Sequence, residues 1–392
     1  MKALVLKENA LLSYEDIPTP EPAWSLRSGG NSHAGGNTHA GGNSHAGSNT
    51  HAGSSAPQVA GVPNAGGSPR GGPADILVRV AYSGICGSDI PRAFHGKAYH
   101  YPLVMGHEFS GTVAEVPADS PYAAGDRVVV FPLIPCGECS ACATGDFAQC
   151  SDYDYYGSRR DGGFAEYVRV NRTNLFPVPP GVDLRSAAMT EPCAVALHGV
   201  EKFELRAGMS ALVVGGGPIG SMVAQWLKLK GCDPVYVADI DPKKLRLAGD
   251  LGCVPIDSST ADPGDEVRRL SGSDGADCVV EAVGLPATFL QAIKAAGRFG
   301  QVVFMGNIQG TFQVPEKDFS AILRNELKIY GTWNSKVEPR GKDEWTRVLQ
   351  FLDRCIHVAP LISHELPLSD GPGIFGRILG KKEWINKVMF AL

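Results

Sequence analysis

The sequence has no long apolar segment. Outside the glycine-rich tract its longest uncharged stretch, Ala207 to Leu227, is interrupted by five glycines and Pro218. It therefore reads as strand, turn and helix rather than as a membrane span. The start, Met1-Lys2-Ala3-Leu4-Val5-Leu6-Lys7, is strand-like and carries no cleavage site, so no signal peptide is expected and the chain reads as cytoplasmic. Basic excess is also absent: the formal charge of -5 leaves no footprint for nucleic acid. The 10 cysteines do not form a disulfide framework, because four follow metal spacing and most others sit singly in apolar segments. Reduced thiols are expected. A length of 392 residues with 43% hydrophobic content is enough for two domains with sizeable cores.

Residues 22–73 are rich in Gly, Ser, Asn, Ala and Pro, with a hexapeptide repeated around His33, His39, His45 and His51. Such a composition cannot build a core and is expected to be disordered. It interrupts a turn between a strand ending near Tyr14 and another at Ile76–Val80. Lengthening a turn to about fifty residues is about three doublings, at ~0.6 kcal/mol each, so the fold should tolerate it. Without preorganised geometry the histidines read as part of a solvated loop, with metal gathering as the alternative.

Two sets of metal ligands follow. Cys136, Cys139, Cys142 and Cys150 read C-x2-C-x2-C-x7-C, four soft donors in one short lobe, as a closed structural zinc site requires. Cys86 and the pair His107-Glu108 make an incomplete set. It leaves zinc a position for water or substrate, which marks a catalytic metal.

After Arg185 the pattern changes to alternating strands and helices. Ala211–Val214 is an apolar strand that runs into Gly215-Gly216-Gly217-Pro218-Ile219-Gly220. Ile219, Met222, Val223, Trp226 and Leu227 then form one helical stripe. Further strands are expected at 235–238, 278–280, 302–305 and 327–330, which implies a parallel sheet. In this context Gly215, Gly217 and Gly220 form a dinucleotide-binding turn, with Pro218 and Ile219 opening the helix beneath the pyrophosphate. Asp239 ends the second strand, where a carboxylate accepts from ribose hydroxyls and repels a 2′-phosphate. NAD is favoured, although Lys243 and Lys244 stand nearby.

With these motifs, and the strings Cys86–Arg92 (CGSDIPR), Gly106–Gly111 (GHEFSG) and Gly157–Tyr167 (GSRRDGGFAEY), the chain resembles the zinc-dependent medium-chain dehydrogenases/reductases, sorbitol dehydrogenase branch. The resemblance covers nearly everything outside the glycine-rich tract. It implies an α/β fold: a GroES-like β-rich catalytic domain over 1–185, a Rossmann doubly wound domain over 186–330, and a return to the catalytic domain over 331–392. Two zinc ions, NAD and a homodimer or homotetramer are implied as well. Cys86 and His107 match the family's catalytic zinc ligands. The third ligand stays open between Glu108 and Glu191, the latter lying in an otherwise apolar segment. Ser88 matches the proton-relay hydroxyl, while Pro91 stands where alcohol dehydrogenases often have a histidine, so any relay must finish through water or the cofactor ribose. Asn386-Lys387-Val388 stands where relatives commonly have Gly-Lys-Val, a departure expected to touch no predicted ligand.

The implied reaction is oxidation of a sugar alcohol or its phosphate to a ketose. Zinc acidifies the alcohol as a Lewis acid, and hydride passes to nicotinamide. Galactitol 1-phosphate to tagatose 6-phosphate is the leading conversion, and a free polyol such as sorbitol is the alternative. Arg159 and Arg160 are the candidate phosphate forks, with Arg92 and Lys97 as lesser ones. A catalytically idle zinc and nucleotide binder is the alternative from another class. A nucleic-acid role would rest only on Tyr153, Tyr155, Tyr156 and the adjacent arginines.

Overall fold

The computed structural model describes residues 1–21, 75–337, 343–381 and 383–392. The tract expected over 22–73, with its four histidines, lies outside the described residues. No helix among the described residues is long and apolar enough to cross a membrane.

The first part of the chain is β-rich because its apolar residues alternate. Strand Asp75–Gly84 buries Ile76, Val78 and Val80 against Phe109, Val113, Val128 and Val130. It pairs antiparallel with Glu108–Glu115, Tyr167–Asn171 and Lys387–Ala391. Lys387–Ala391 continues in parallel to Ile362–Pro367, so two late strands complete the sheet that Asp75–Gly84 started. Lys2–Glu8, Leu11–Asp16 and Leu103–Val104 make a separate three-stranded sheet.

Between these segments six strands pair only in parallel. Their spatial order is Val254–Asp257, Val235–Asp239, Ala211–Val214, Ala276–Glu281, Ala296–Phe304 and Lys328–Gly331. All five expected strands lie in this sheet. The sixth, Val254–Asp257, buries only Ile256 of its four residues, so neither alternation nor an apolar run marks it in the sequence. The chain builds outward from Ala211–Val214 on one side and then crosses to Ala276–Glu281 on the other. That reversal opens a crevice at the carboxyl ends of these two strands, where a doubly wound sheet takes its ligand. Helix Pro218–Leu229 starts at the crevice and buries Met222, Val223, Trp226 and Leu227, as its period requires.

Helix Thr190–Val200 joins the two sheets. Cys193, Ala194, Ala196, Leu197 and Val200 are buried in one core that reaches Val129 of the first sheet with the adjacent Phe131, and Val213 of the parallel sheet with Met222 on the helix Pro218–Leu229. The helix therefore delivers Glu191, in its first turn, from a packed support. Of the cysteines outside the two ligand sets, Cys193, Cys232, Cys253 and Cys278 are buried and Cys355 is exposed. It follows helix Glu344–Phe351 in a turn.

Candidate active site and metal centres

Cys86 follows strand Asp75–Gly84, and His107 and Glu108 stand at the start of the paired strand Glu108–Glu115. Antiparallel pairing puts Gly84 opposite Glu108 and so brings the two segments together. Cys86, His107 and Glu108 offer ligand atoms that all lie within 4.8 Å of one another. Asp89, fully buried, braces this arrangement. Its Oδ2 accepts from the Cys86 N–H at 3.0 Å, its Oδ1 accepts from Arg92 at 2.6 Å, and that same oxygen lies 3.6 Å from His107 Nδ1. Ser88 is exposed and hydrogen-bonded toward the Cys86 sulfur.

Glu191 is outside the three-residue cluster but close enough to feel it. Burial pushes its carboxyl up to about 8, opposed first by His107 and reinforced by Glu108. Burial likewise raises the Cys86 thiol to about 11, with the Glu108 and Asp89 carboxylates adding to the effect. Burial raises both the thiol and the carboxyl, so a cation bound between them would favour their ionised forms. One soft sulfur, one imidazole and one carboxylate suit zinc, and the set stops short of four protein ligands.

Two participants escaped sequence reasoning. Tyr155 donates to Glu191 Oε1 at 3.2 Å and turns its ring edge-on to His107, with centroids 5.8 Å apart. Burial, then Glu191, drives its phenol well above the ordinary range. Lys387, also buried, forms an ion pair with Glu108. Asn386, the departure noted in the sequence, touches none of the predicted ligands. Asn386 itself binds the Leu361 carbonyl and Ser363, but its neighbour grips Glu108. The local sequence holds no signal for this contact, because the pair is separated by 279 residues.

The second lobe gathers Cys136, Cys139, Cys142 and Cys150, again within 4.8 Å. Sulfur separations of 3.8 Å for Cys136–Cys142 and 3.5 Å for Cys139–Cys142 are far from a bonded pair. They approach the tetrahedron edge of ~3.8 Å that zinc–sulfur bonds of about 2.3 Å produce. Hydrogen bonds, led by the Ser151 N–H, draw Cys139 down to about 5, while burial pushes Cys142 up to about 12. Unaided, the four cannot all ionise, whereas around a dication they can.

At the crevice, Gly215 has a positive φ of 106°, and a Cβ on Gly220 would collide with the Gly215 carbonyl. These two glycines make the turn tight enough for helix and strand to touch. Gly217 caps the helix N-terminus with nothing within 4 Å of where a Cβ would be, and Pro218 occupies the first turn. Ile219 follows, half-buried against the core. Asp239, which ends Val235–Asp239, accepts from Gly216 N at 2.8 Å and Asp241 N at 2.9 Å, with Lys244 Nζ 3.4 Å away. A backbone cradle at a helix N-terminus beside a fixed carboxylate is suited to a dinucleotide.

The two candidate phosphate arginines diverge. Arg159 is sandwiched between Tyr99 and Tyr153, 4.7 and 4.1 Å from the ring centroids, and donates to the Tyr153 carbonyl. Arg160 pairs with Asp154 at 2.6 Å and lines a cavity of about 580 Å³ with Met1, Ile17 and Tyr167. Arg92 is committed to Asp89. The three neighbouring tyrosines form no open stacking platform, because Tyr156 is buried and the other two face Arg159 and Glu191.

Paired ligand clusters on a β-rich unit, together with a nucleotide crevice, define a zinc- and dinucleotide-dependent oxidoreductase. Residues 72–180 match the alcohol dehydrogenase GroES-like domain, and residues 218–354 match the zinc-binding dehydrogenase domain. Galactitol 1-phosphate 5-dehydrogenase of Escherichia coli (strain K12) is 34% identical over 74% of this chain and 85% of its own length. Sorbitol dehydrogenase of Halalkalibacterium halodurans is 33% identical over 76% and 87%. The crystal structure of galactitol-1-phosphate dehydrogenase from Escherichia coli superposes with a TM-score of 0.80 at 28% identity, covering 100% of both chains. That of a putative zinc-binding dehydrogenase from Sinorhizobium meliloti bound to NADP gives 0.79 at 26% identity, covering 100% of this chain and 99% of the other. The chain belongs to the zinc-dependent medium-chain dehydrogenase/reductase family.

Proposed function

We propose that this protein oxidises a sugar alcohol phosphate to a ketose phosphate with NAD, galactitol 1-phosphate to tagatose 6-phosphate being the preferred conversion. In this reading Cys86, His107 and Glu108 hold the catalytic zinc, and Cys136, Cys139, Cys142 and Cys150 hold the structural one. The observation that carries the reading is the cluster of three unlike donors within 4.8 Å, one short of a closed shell, with the relative's substrate supplying the choice of polyol. Zinc bound there supplies Lewis acidity toward the substrate hydroxyl. Ser88, exposed beside Cys86, accepts the released proton and passes it to solvent or the cofactor ribose. Glu191, buried and tethered by Tyr155, would be a further carboxylate beside this set. The Gly215–Gly220 turn holds the pyrophosphate, and Asp239 orients the adenosine ribose.

A free polyol such as sorbitol is the second reading. It is favoured by the prior engagement of Arg160 with Asp154 and of Arg92 with Asp89, which leaves Arg159 as the principal guanidinium for a phosphate. Turnover of galactitol 1-phosphate, galactitol and sorbitol decides between them, and equal or faster oxidation of the free polyols removes the phosphate assignment. Michaelis constants for NAD and NADP test Asp239, and preference for NADP overturns its role. Ten unpaired cysteines support a reducing, cytoplasmic setting. A homodimer or homotetramer formed through the edge strand Lys328–Gly331 is consistent with the exposed Phe299, Phe319, Leu323 and Trp333 around it. A monomer in sedimentation would refute it.

A further inference from the structure

Lys387 is 4% exposed, and its ammonium has two partners, the Glu108 carboxylate and the Ile85 carbonyl at 2.9 Å. Each leads directly to the metal cluster. Ile85 precedes Cys86, and Glu108 follows His107. A buried ammonium is costly unless paired and hydrogen-bonded, so its place here needs a reason. Space for it has been kept. A Cβ on Gly84 would strike Glu108 Oε2 and come within 3.0 Å of Lys387 Cε and 3.3 Å of its Nζ. Glycine at this position of the long strand lets the carboxylate and the ammonium meet.

Charge gives the reason. A Cys86 thiolate with the Glu108 and Glu191 carboxylates places three anions around one dication. Without Lys387 the centre carries a net negative charge inside a low-polarity pocket, and with it the sum is zero. The ammonium also fixes where Glu108 points, because it anchors Oε2 to the backbone beside Cys86. We propose that Lys387 is a positioning residue of the catalytic metal centre: it holds Glu108 in place to coordinate zinc and makes strand Lys387–Ala391 part of a site to which that strand gives no ligand. Partners of metal ligands commonly set metal affinity by ~10–100-fold. The proposal needs the family's zinc but not the substrate assignment, so the two can fail separately.

The test is release of zinc to a chromogenic chelator from the full-length zinc-loaded enzyme, with the four-thiolate zinc as the internal reference. Lys387→Met should release one of the two zinc ions ~10–100-fold faster than the parent while the other is unchanged. Lys387→Arg should restore most of the retention. Because Lys387 acts through Glu108, adding Lys387→Met to Glu108→Gln should change release less than about twofold. Parental retention in Lys387→Met overturns the proposal, as do multiplying effects in the double variant. Loss of both zinc ions in Lys387→Met with no rescue by arginine also overturns it, since that pattern describes a folding residue.

Discussion

Replacing Tyr155 by Phe removes one hydroxyl and leaves the ring. The ring packs edge-on to His107 and to Tyr153, with centroids 5.8 and 6.2 Å away, and both contacts survive in the variant. What disappears is the hydrogen bond to Glu191 Oε1 at 3.2 Å. A hydrogen bond to a charged group contributes ~1.5–3 kcal/mol, and its length here favours the low end, about 1.5 kcal/mol. That equals about one pKa unit at about 1.36 kcal/mol per unit. The hydroxyl favours the ionised carboxylate, so its loss moves Glu191 upward from about 8. Bound zinc lowers the value in parent and variant alike, and the difference keeps its sign. The acid limb of kcat against pH should therefore move about one unit to higher pH, with parental rates recovered at the alkaline end. Metal-free protein offers a second reading of the same group. Its Glu191 pKa is raised above the unfolded value of 4.5, so the associated stability is present below that pH and is lost as pH rises through about 8. In Tyr155→Phe the decline should continue to higher pH. NADH formation followed across pH, with denaturant midpoints of the stripped protein, measures both. An unmoved acid limb with only KM altered would refute the argument.

Other outcomes follow from the same geometry. Gly220→Ala drives a methyl group into the Gly215 carbonyl, so melting should fall by an amount equivalent to ~1–3 kcal/mol and NAD affinity should drop sharply in a fluorescence titration. Arg159→Ala should raise KM for a phosphorylated polyol about tenfold or more and spare free polyols. Arg160→Ala, which strands Asp154, should lower thermal stability while leaving KM unchanged. Cys139→Ser should reduce bound zinc from two ions to one by elemental analysis and loosen the lobe around Phe147 and Tyr153 to limited proteolysis.

The parts of the molecule legible in the sequence were those whose physics is local. Four thiolates within one lobe, a glycine turn after an apolar strand, and the stripe of Met222, Val223, Trp226 and Leu227 all depend on residues a few positions apart. Strand Val254–Asp257 stayed hidden because an edge strand exposed on most sides needs no apolar run. Tyr155 was visible only as one of a group of aromatics, since its partner lies 36 residues away on the helix that joins the two sheets. Lys387 sits in a string that was noticed for its asparagine, and only the sheet register reveals which carboxylate it meets. The adjacent Arg159 and Arg160 read alike until the backbone sends one between two rings and the other to Asp154.

The pairing of Lys387–Ala391 with Asp75–Gly84 also has a bearing on biosynthesis. A ribosome releases the nucleotide sheet, whose neighbours in space are close in sequence, well before it makes the strand that closes the first sheet, and contacts spanning 302 residues form slowly. A nascent chain should thus complete its nucleotide sheet before Lys387 can reach Glu108, so the metal ligands receive their buried ammonium last.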